Sequence, residues 1–463
     1  MRINSIPLVN GQRLNLSPSQ WVVSTFLLIL LAGASLLSTS WAGHGVSWLG
    51  ALFTATSAIC VTGLATLDIG THFNIFGQVV IMILVQIGGL GQMTLGMLLL
   101  MTLGKRLGLR QKLLLQDALN QDEHGQIFTL ARRVVQFALL FEAIGLLLLS
   151  IRFVPEMGFS HGVYVALFHV ISAFNNAGFS LFPDNMISYS DDPVVLLTIS
   201  LLIIFGGLGF TVLLELTRTR RLSRMSLHSQ LVIKGTLILL ILGTLGIWLL
   251  EHNNRHTLGA LPAAQQWLGA FFQSVSTRTA GFESIDMGQI HSSTSLLMMV
   301  LMFIGAGAAS TAGGIKVTTF MVLLLATRSF LRHQNRVTFG RKEISQATIN
   351  KSVAVIMTSL IVLCVGVFAL SITDHAPLQA LMFEAVSALG TVGLSLDLTP
   401  TLSHGGQMIL IILMFIGRLG PLTLALTLSK PNVQRVRYPE GKWLQVNSFI
   451  QNRSPRGCGF SSG

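Results

Sequence analysis

Eight apolar runs of membrane-crossing length divide this chain, at about residues 21 to 42, 76 to 103, 134 to 154, 193 to 216, 230 to 250, 293 to 327, 351 to 372 and 405 to 429. In lipid a backbone must satisfy its own hydrogen bonds, so runs of this length are read as spanning helices. Charged residues make up only 10% of the sequence and hydrophobic ones 51%, which excludes an ordinary soluble domain. The opening MRINSIPLVNGQR has no short apolar core with a small-residue cleavage site, so the first run is read as a retained span. Cys60, Cys364 and Cys458 are too few and too scattered for a disulfide framework or a zinc site. The first two read as small apolar fillers and the third as incidental.

Within each consecutive pair of runs lies a shorter one: VSWLGALFTATSAI, HGVYVALFHVISAF, PAAQQWLGAFFQSVS and APLQALMFEAVSAL. These are too short to span and fit helices that enter the membrane and turn back. Each ends in a glycine-bearing turn: CVTGL, NNAGF, TRTAGF and GTVGL. The glycines Gly63, Gly178, Gly281 and Gly393 are 115, 103 and 112 residues apart, and GGLG, GGLG, GAGA and GRLG follow them after 25, 28, 24 and 24 residues. Such a double register is an internal repeat. One such turn would be an ordinary glycine C-cap; four in register imply a shared purpose.

The predicted fold is therefore an all-α integral membrane protein. Four covalently linked repeats of span, pore helix, filter turn and span give eight transmembrane helices and four re-entrant helices around a central pore. The boundaries are 1–16 for a cytoplasmic N-terminus, 17–110, 111–222, 223–340 and 341–430 for the repeats, and 431–463 for a cytoplasmic tail read as disordered. All but five of the 30 Lys and Arg fall at the chain ends or beside the loops joining repeats, which makes that face cytoplasmic. The opposite face carries Asp68, Glu156, Asp184, Asp191, Asp192, Glu251, Glu283, Asp286, Asp374 and Asp397 against Arg152 and Arg255. It would concentrate cations, or it simply keeps the acids that the basic bias leaves outside.

Irregular backbone at membrane depth must be buried in protein or line a wet cavity. Four extended turns about one axis would aim carbonyl oxygens inward, as a pore does to replace an alkali cation's hydration shell. The preceding helices point their negative ends at the same place. The candidate ion-binding residues are Cys60, Val61, Thr62 and Gly63; Asn175, Asn176, Ala177 and Gly178; Thr279, Ala280 and Gly281; and Gly390, Thr391, Val392 and Gly393. The side chains of Thr62, Asn175, Asn176, Thr277, Thr279 and Thr391 are expected to hydrogen-bond behind the turns. Arg278 is expected to point away from the axis, since facing it would repel cations.

The sixth run breaks its own pattern. FIGAGAASTAGGIKVTTF concentrates glycine, alanine and hydroxyl residues, which disfavours a continuous helix, although small residues also serve close helix packing. Gly305, Ala306, Gly307, Ala308, Ala309, Ser310, Thr311, Ala312, Gly313, Gly314, Ile315 and Lys316 are read as a non-helical intramembrane segment below the turns. Arg418, in FIGRLGPL, is the other cation at depth and is functional by default. Glu142, Glu215 and Glu384 also lie in apolar runs, and Glu384 is a candidate partner for Arg278 or Arg418.

With these motifs the chain resembles the Trk/Ktr/HKT superfamily of potassium transporters, and within it the membrane subunits of bacterial Ktr systems. The resemblance covers about residues 17 to 430 and rests on STRTAGF, NNAGFS and the broken sixth run. It implies a potassium-channel-like pore with a potassium-selective filter at the four glycines, gated by the sixth-run segment together with Arg418. A serine in the first turn accompanies sodium transport in plant relatives; Gly63 stands there. The resemblance further implies sodium-stimulated potassium uptake (symport), a homodimer with one pore per protomer, and a cytoplasmic ring of Rossmann-like (KtrA-like) subunits binding ATP and ADP. It also implies a bacterial inner-membrane location with both termini cytoplasmic. No cofactor is expected in this chain beyond the transported K+ and a stimulating Na+; nucleic acid is not an expected partner.

Two other classes are weighed. An alternating-access carrier also has internal repeats, but inverted ones would reverse the basic side, and every repeat here starts and ends on it. An enzyme is not expected, because His252 and His256 lack the glutamate of HExxH and lie in a polar loop.

Overall fold

The computed structural model of the chain describes residues 18–102, 127–219, 221–308, 310–334, 336–340 and 342–420. The N-terminal 1–16 segment, the tail after 431, Cys458 and Ala309 lie outside the described residues. Fourteen α-helices of nine residues or more, a four-residue helical turn at Ile69–His72 and one short hairpin carry the fold among them. A long helix, a short helix, a glycine turn and a further helical segment follow one another in four successive sets. The first is α1 (Pro18–Leu37), α2 (Trp48–Cys60) and α3 (Ile75–Thr102). The second is α4 (Ile127–Met157), α5 (Phe159–Phe174), α6 (Pro193–Leu208) and α7 (Phe210–Arg218). Next come α8 (Leu227–Glu251), α9 (Ala263–Ser276), α10 (Ser292–Phe303) and α11 (Val317–Leu331). The hairpin β1 (Thr338–Phe339) and β2 (Lys342–Glu343) leads into α12 (Gln346–Thr373), α13 (Leu378–Gly390) and α14 (His404–Leu419).

Local chemistry starts these helices where they start. Ser47 accepts from Gly50 N–H (3.1 Å) to cap α2, Asp192 caps α6 ahead of Pro193, and Ser226, Ser345 and Ser403 cap α8, α12 and α14. Prolines 262 and 377 precede α9 and α13. The helices at Arg132–Met157, Leu227–Glu251 and Gln346–Thr373 are each long and apolar enough to cross a membrane alone. Their outward faces leave Leu140, Leu147, Ile151, Leu242, Leu249, Ile361, Val365 and Phe368 more than half exposed, a greasy belt that water would not tolerate as a free surface.

The short helices form the interior. Each carries a fully buried phenylalanine at a matching position, Phe53, Phe168, Phe272 and Phe383, with Phe174 a second one in α5, and each is held by the set before it. α3 packs on α5, α6 on α9, α10 on α13, and α14 returns to α2. The order closes on itself.

Two runs are interrupted. The sixth is broken as the sequence predicts, with residues 304 to 316 outside any helix between α10 and α11. The fourth, read as one continuous span from 193 to 216, is instead bent by 95° between α6 and α7 at Gly209, whose φ is +93°. Ending α6 there leaves its last carbonyls without helical partners. Two of them are taken up by the broken segment of the third set: Gly307 N–H donates to Gly207 O (2.8 Å) and Thr311 N–H to Gly206 O (3.3 Å). One break therefore satisfies the other.

Candidate ion pathway

The four turns share one construction. In every short helix a serine stands four residues after the buried phenylalanine: Ser57, Ser172, Ser276 and Ser387. Its carbonyl accepts the N–H of the residue just before the turn glycine: Thr62 (2.8 Å), Ala177 (2.7 Å), Ala280 (3.0 Å) and Val392 (2.9 Å). In turns 1, 2 and 4 the preceding N–H, of Val61, Asn176 or Thr391, donates to the carbonyl three residues back at 3.1 Å, completing a Schellman cap. Turn 3 has one residue fewer between phenylalanine and glycine, so its bond from Ala280 spans four residues instead of five. Val61, Asn176, Thr279 and Thr391 all sit at φ between +50° and +68°. Three of the four are β-branched, for which this region is strained. The turns are thus helix caps and something more.

Because a trans peptide places C=O opposite N–H, amides turned back on the helix send the carbonyls of Cys60 and Val61, Asn175 and Asn176, and Gly390 and Thr391 the other way. The next carbonyls meet the neighbouring turn. A β-carbon on Gly63 would stand 2.4 Å from Ala177 O, on Gly178 2.5 Å from Ala280 O, on Gly281 2.4 Å from Val392 O, and on Gly393 2.2 Å from Thr62 O. Turn 1 leans on 2, 2 on 3, 3 on 4 and 4 on 1. Only glycine, with φ of +94°, +69°, +76° and +103° here, permits that approach.

The second landmark has its own geometry. A β-carbon on Gly88 would lie 2.1 Å from Ile59 O, on Gly206 2.0 Å from Phe174 O, and on Gly417 2.1 Å from Leu389 O. Each carbonyl is four residues before a turn glycine, so these glycines let the following helix cross against the end of the short one. In the third set the chain leaves the helix at this point and Gly305 abuts Gly313 O instead.

The segment 304–316 lies directly against the turns. Thr311 Oγ1 donates within 3.3 Å of Phe174 O and Asn176 Oδ1 in turn 2. A β-carbon on Gly313 would meet Thr391 Oγ1 at 2.0 Å, and one on Gly314 would meet Gly390 O at 2.9 Å, both at turn 4. Thr279 of turn 3 approaches Gly305. The segment is braced internally by Val317 N–H donating to Ala306 O (3.0 Å), the pairing of Ile304 with Ile315, and Ser310 donating to Gly307 O (2.7 Å). Lys316 folds back to donate to Ala312 O (2.7 Å). Arg418, buried, donates to Thr311 O (2.6 Å) and to Gly88 O. It thereby ties the segment to the first and last sets.

Several expectations are corrected. The hydroxyls of Thr62, Thr279 and Thr391 have no hydrogen-bond partner among the described residues, because backbone amides already hold the turns. Thr277 donates only to its own helix, at Ser274 O (2.8 Å). The straps that sequence reasoning missed are serines: Gly63 N–H and Gly393 N–H donate to the hydroxyls of Ser57 and Ser387, each at 3.0 Å, and Ser276 donates to Phe282 O. The recurring F-x-x-x-S was the available signal. Arg278, by contrast, points back into the protein as the sequence reading expects, donating to Thr236 O on α8 (3.3 Å). Glu384 pairs with Ser395 and Thr399 (2.6 Å to the latter) rather than with an arginine. Cys364 is exposed on α12 and Cys60 is buried.

Much of the outer acidity is structural. Asp68 and Asp192 cap helices, Asp184 accepts from Ser188 (2.8 Å from its N–H), Asp374 from Ser403 (2.7 Å), and Glu251 is buried under donors from Asn254, Thr257, His291 and Thr294. Glu283 and Asp397 instead lie within electrostatic reach of each other and of Asp286. Burial first, then the carboxylates of Asp397, Glu384 and Asp286, raise Glu283 to about 8; burial and Asp286 raise Asp397 as well.

Comparison with known proteins agrees with this geometry. The TrkH family, described as cation transport proteins, matches residues 12–436. This chain belongs to the TrkH family. Among TrkH relatives, Ktr system potassium uptake protein B of Bacillus subtilis is 47% identical over 430 residues, covering 92% of this chain and 96% of that protein. The protein of the same name from Vibrio alginolyticus is 48% identical over 422 residues (90% and 93%). Potassium/sodium uptake protein NtpJ of Enterococcus hirae is 36% identical over 423 residues (90% and 94%). The crystal structure of the potassium transporter TrkH from Vibrio parahaemolyticus shares the fold, with a TM-score of 0.73 at 19% identity over 89% of this chain and 85% of that one. A TrkH-family chain with such an apolar belt is an integral membrane protein of a cation transport family.

Proposed function

We propose that this chain is the potassium-translocating membrane subunit of a Ktr-type uptake system. The observation that carries the reading is the closed ring in which each turn glycine admits the next turn's carbonyl oxygen. Carbonyl oxygens so gathered can replace a cation's hydration shell, and each turn is held by backbone bonds made before any ion arrives. On this reading the eight runs are transmembrane, the four short helices are re-entrant pore helices, and the repeats occupy 17–110, 111–222, 223–340 and 341–430. The filter consists of Cys60 to Gly63, Asn175 to Gly178, Thr279 to Gly281 and Gly390 to Gly393. K+ is cargo, bound transiently by carbonyls.

The segment 305–316 is the gate. It lies against turns 2, 3 and 4 and is latched by Arg418 at Thr311 O, so opening requires that latch to release. Activation would come from a cytoplasmic nucleotide-binding ring acting on a homodimer in the bacterial inner membrane, with sodium stimulating uptake and both termini cytoplasmic. The names of the Bacillus and Vibrio relatives, each a component of a Ktr system, support a multicomponent assembly.

Rubidium uptake by purified protein in liposomes, with and without sodium, tests the proposal. Uptake that excess sodium does not displace is the expected result. Flux that sodium and rubidium share equally, in wild type and in a variant lacking residues 309–314, would refute the potassium filter.

A further inference from the structure

Turn 2 lacks the strap that holds turns 1 and 4. There the serine hydroxyl takes the glycine N–H, whereas the hydroxyl of Ser172 has no hydrogen-bond partner among the described residues. Beyond the two backbone bonds, turn 2 is tethered through the side chain of Asn175. Asn175 is fully buried at the end of α5, and its Nδ2 donates to Ile171 O (2.9 Å) and to Gln86 Oε1 on α3 (2.7 Å). Gln86 Nε2 in turn donates to Glu142 Oε1 on α4 (2.8 Å). Glu142 is only 8% exposed in the middle of an apolar run, where a carboxyl is retained only for a reason. On the far side Asn175 Oδ1 rests against Gly89, whose β-carbon would stand 2.0 Å away.

The chemistry of this chain has a direction. A glutamine amide by itself can present either end to a neighbour. Glu142 Oε1 accepts from the NH2 of Gln86, which leaves the glutamine oxygen toward Asn175, and Asn175 must then donate. The asparagine is thereby committed to one orientation, with its oxygen seated on Gly89. We propose that Glu142, acting through Gln86, is the positioning residue that fixes filter turn 2 and with it the cation preference of the pore. This rests on the reading of Asn175 to Gly178 as part of the filter.

The test uses the full chain in liposomes, measuring rubidium half-saturation, maximal rate and inhibition by sodium, with Gly178→Ala as the control for the filter reading. Glu142→Leu should weaken rubidium half-saturation and the preference over sodium by about tenfold, the scale of one lost bond to a buried group, while the maximal rate changes less. Gln86→Glu should do the same by facing two carboxylates. Adding Glu142→Gln to it should restore preference to within about threefold, because the carboxylate introduced at position 86 accepts from both amides; a merely destabilising pair would not be rescued. Wild-type preference in Glu142→Leu, or no rescue in the swapped pair, while Gly178→Ala loses selectivity, overturns the inference. Wild-type preference in Gly178→Ala as well overturns the filter reading beneath it.

Discussion

Gly393→Ala isolates what the ring of turns contributes. The new β-carbon would be 2.2 Å from Thr62 O, and even a very tight contact of about 3.0 Å demands that the oxygen or turn 4 retreat by roughly 0.8 Å. The residue would also have to hold φ near +103°, outside the small left-handed region open to alanine, at a cost of about 1–3 kcal/mol. The chain can answer in two ways. It can keep φ and push Thr62 O outward, or relax φ and withdraw turn 4; either displaces a carbonyl that ions should meet. If that strain is relieved mainly at the ion site, the K+ over Na+ preference should fall by about tenfold, since about 1.4 kcal/mol is one factor of ten. The assay is rubidium uptake in liposomes against rising sodium, with the melting temperature measured in detergent. Gly158→Ala supplies the comparison: its φ is also positive, +82°, but a β-carbon there meets nothing within 4 Å. It should lose some stability and no selectivity. If Gly393→Ala keeps wild-type selectivity, or if both variants lose it alike, the ring contact does not shape the ion path and the reasoning fails.

Other perturbations separate gate, scaffold and acidic cluster. Deleting Ala309 to Gly314, or replacing Arg418 by Gln to remove the bond to Thr311 O, should raise unstimulated rubidium flux by about tenfold in the absence of any partner; unchanged flux would place the barrier elsewhere. Asp192→Ala removes the α6 cap and should lower stability by about 1 kcal/mol, read as a reduced melting temperature, with sodium inhibition unaltered. Glu283, raised to about 8, is mostly protonated at neutral pH and gains its charge as pH rises through that value. Rubidium half-saturation should therefore improve by about two- to threefold between pH 7 and 9, and Glu283→Gln should flatten the profile.

Periodicity carried most of the helical order. Run length set the long α3, α4, α8 and α12 apart from the short α2, α5, α9 and α13 but overestimated the helices of the fourth and sixth runs; the glycine register located all four turns, and the density of small residues in 303–320 marked a break that the structure contains. The bend at Gly209 was hidden because its cause is remote: Gly206 and Gly207 give up helical donors for those of Gly307 and Thr311, and hydropathy does not register a change of partner. The threonines misled for a related reason. A hydroxyl beside a turn looks like its brace, but the strained residues at Val61, Asn176 and Thr391 are held by amides reaching back into the helix, a pattern written in spacing rather than residue type. The serines were readable, four residues after each phenylalanine, once the repeat was aligned on the helices instead of on the turns. The roles of Gln86 and Glu142 were not, since an amide in one set and a carboxyl in another become neighbours only in three dimensions.

The ring also has a last piece. Turn 4 leans on Thr62, α14 packs on α2, and Arg418 reaches Gly88 from 330 residues further along the chain. A ribosome delivers the two ends of that contact at widely separated times, so the first turn must wait, unclosed, while the remaining helices are inserted. No truncated product ending before turn 4 possesses a complete set of carbonyls. On the proposed reading the ion path is completed in one late step, and a membrane accumulating unfinished copies gains no selective leak.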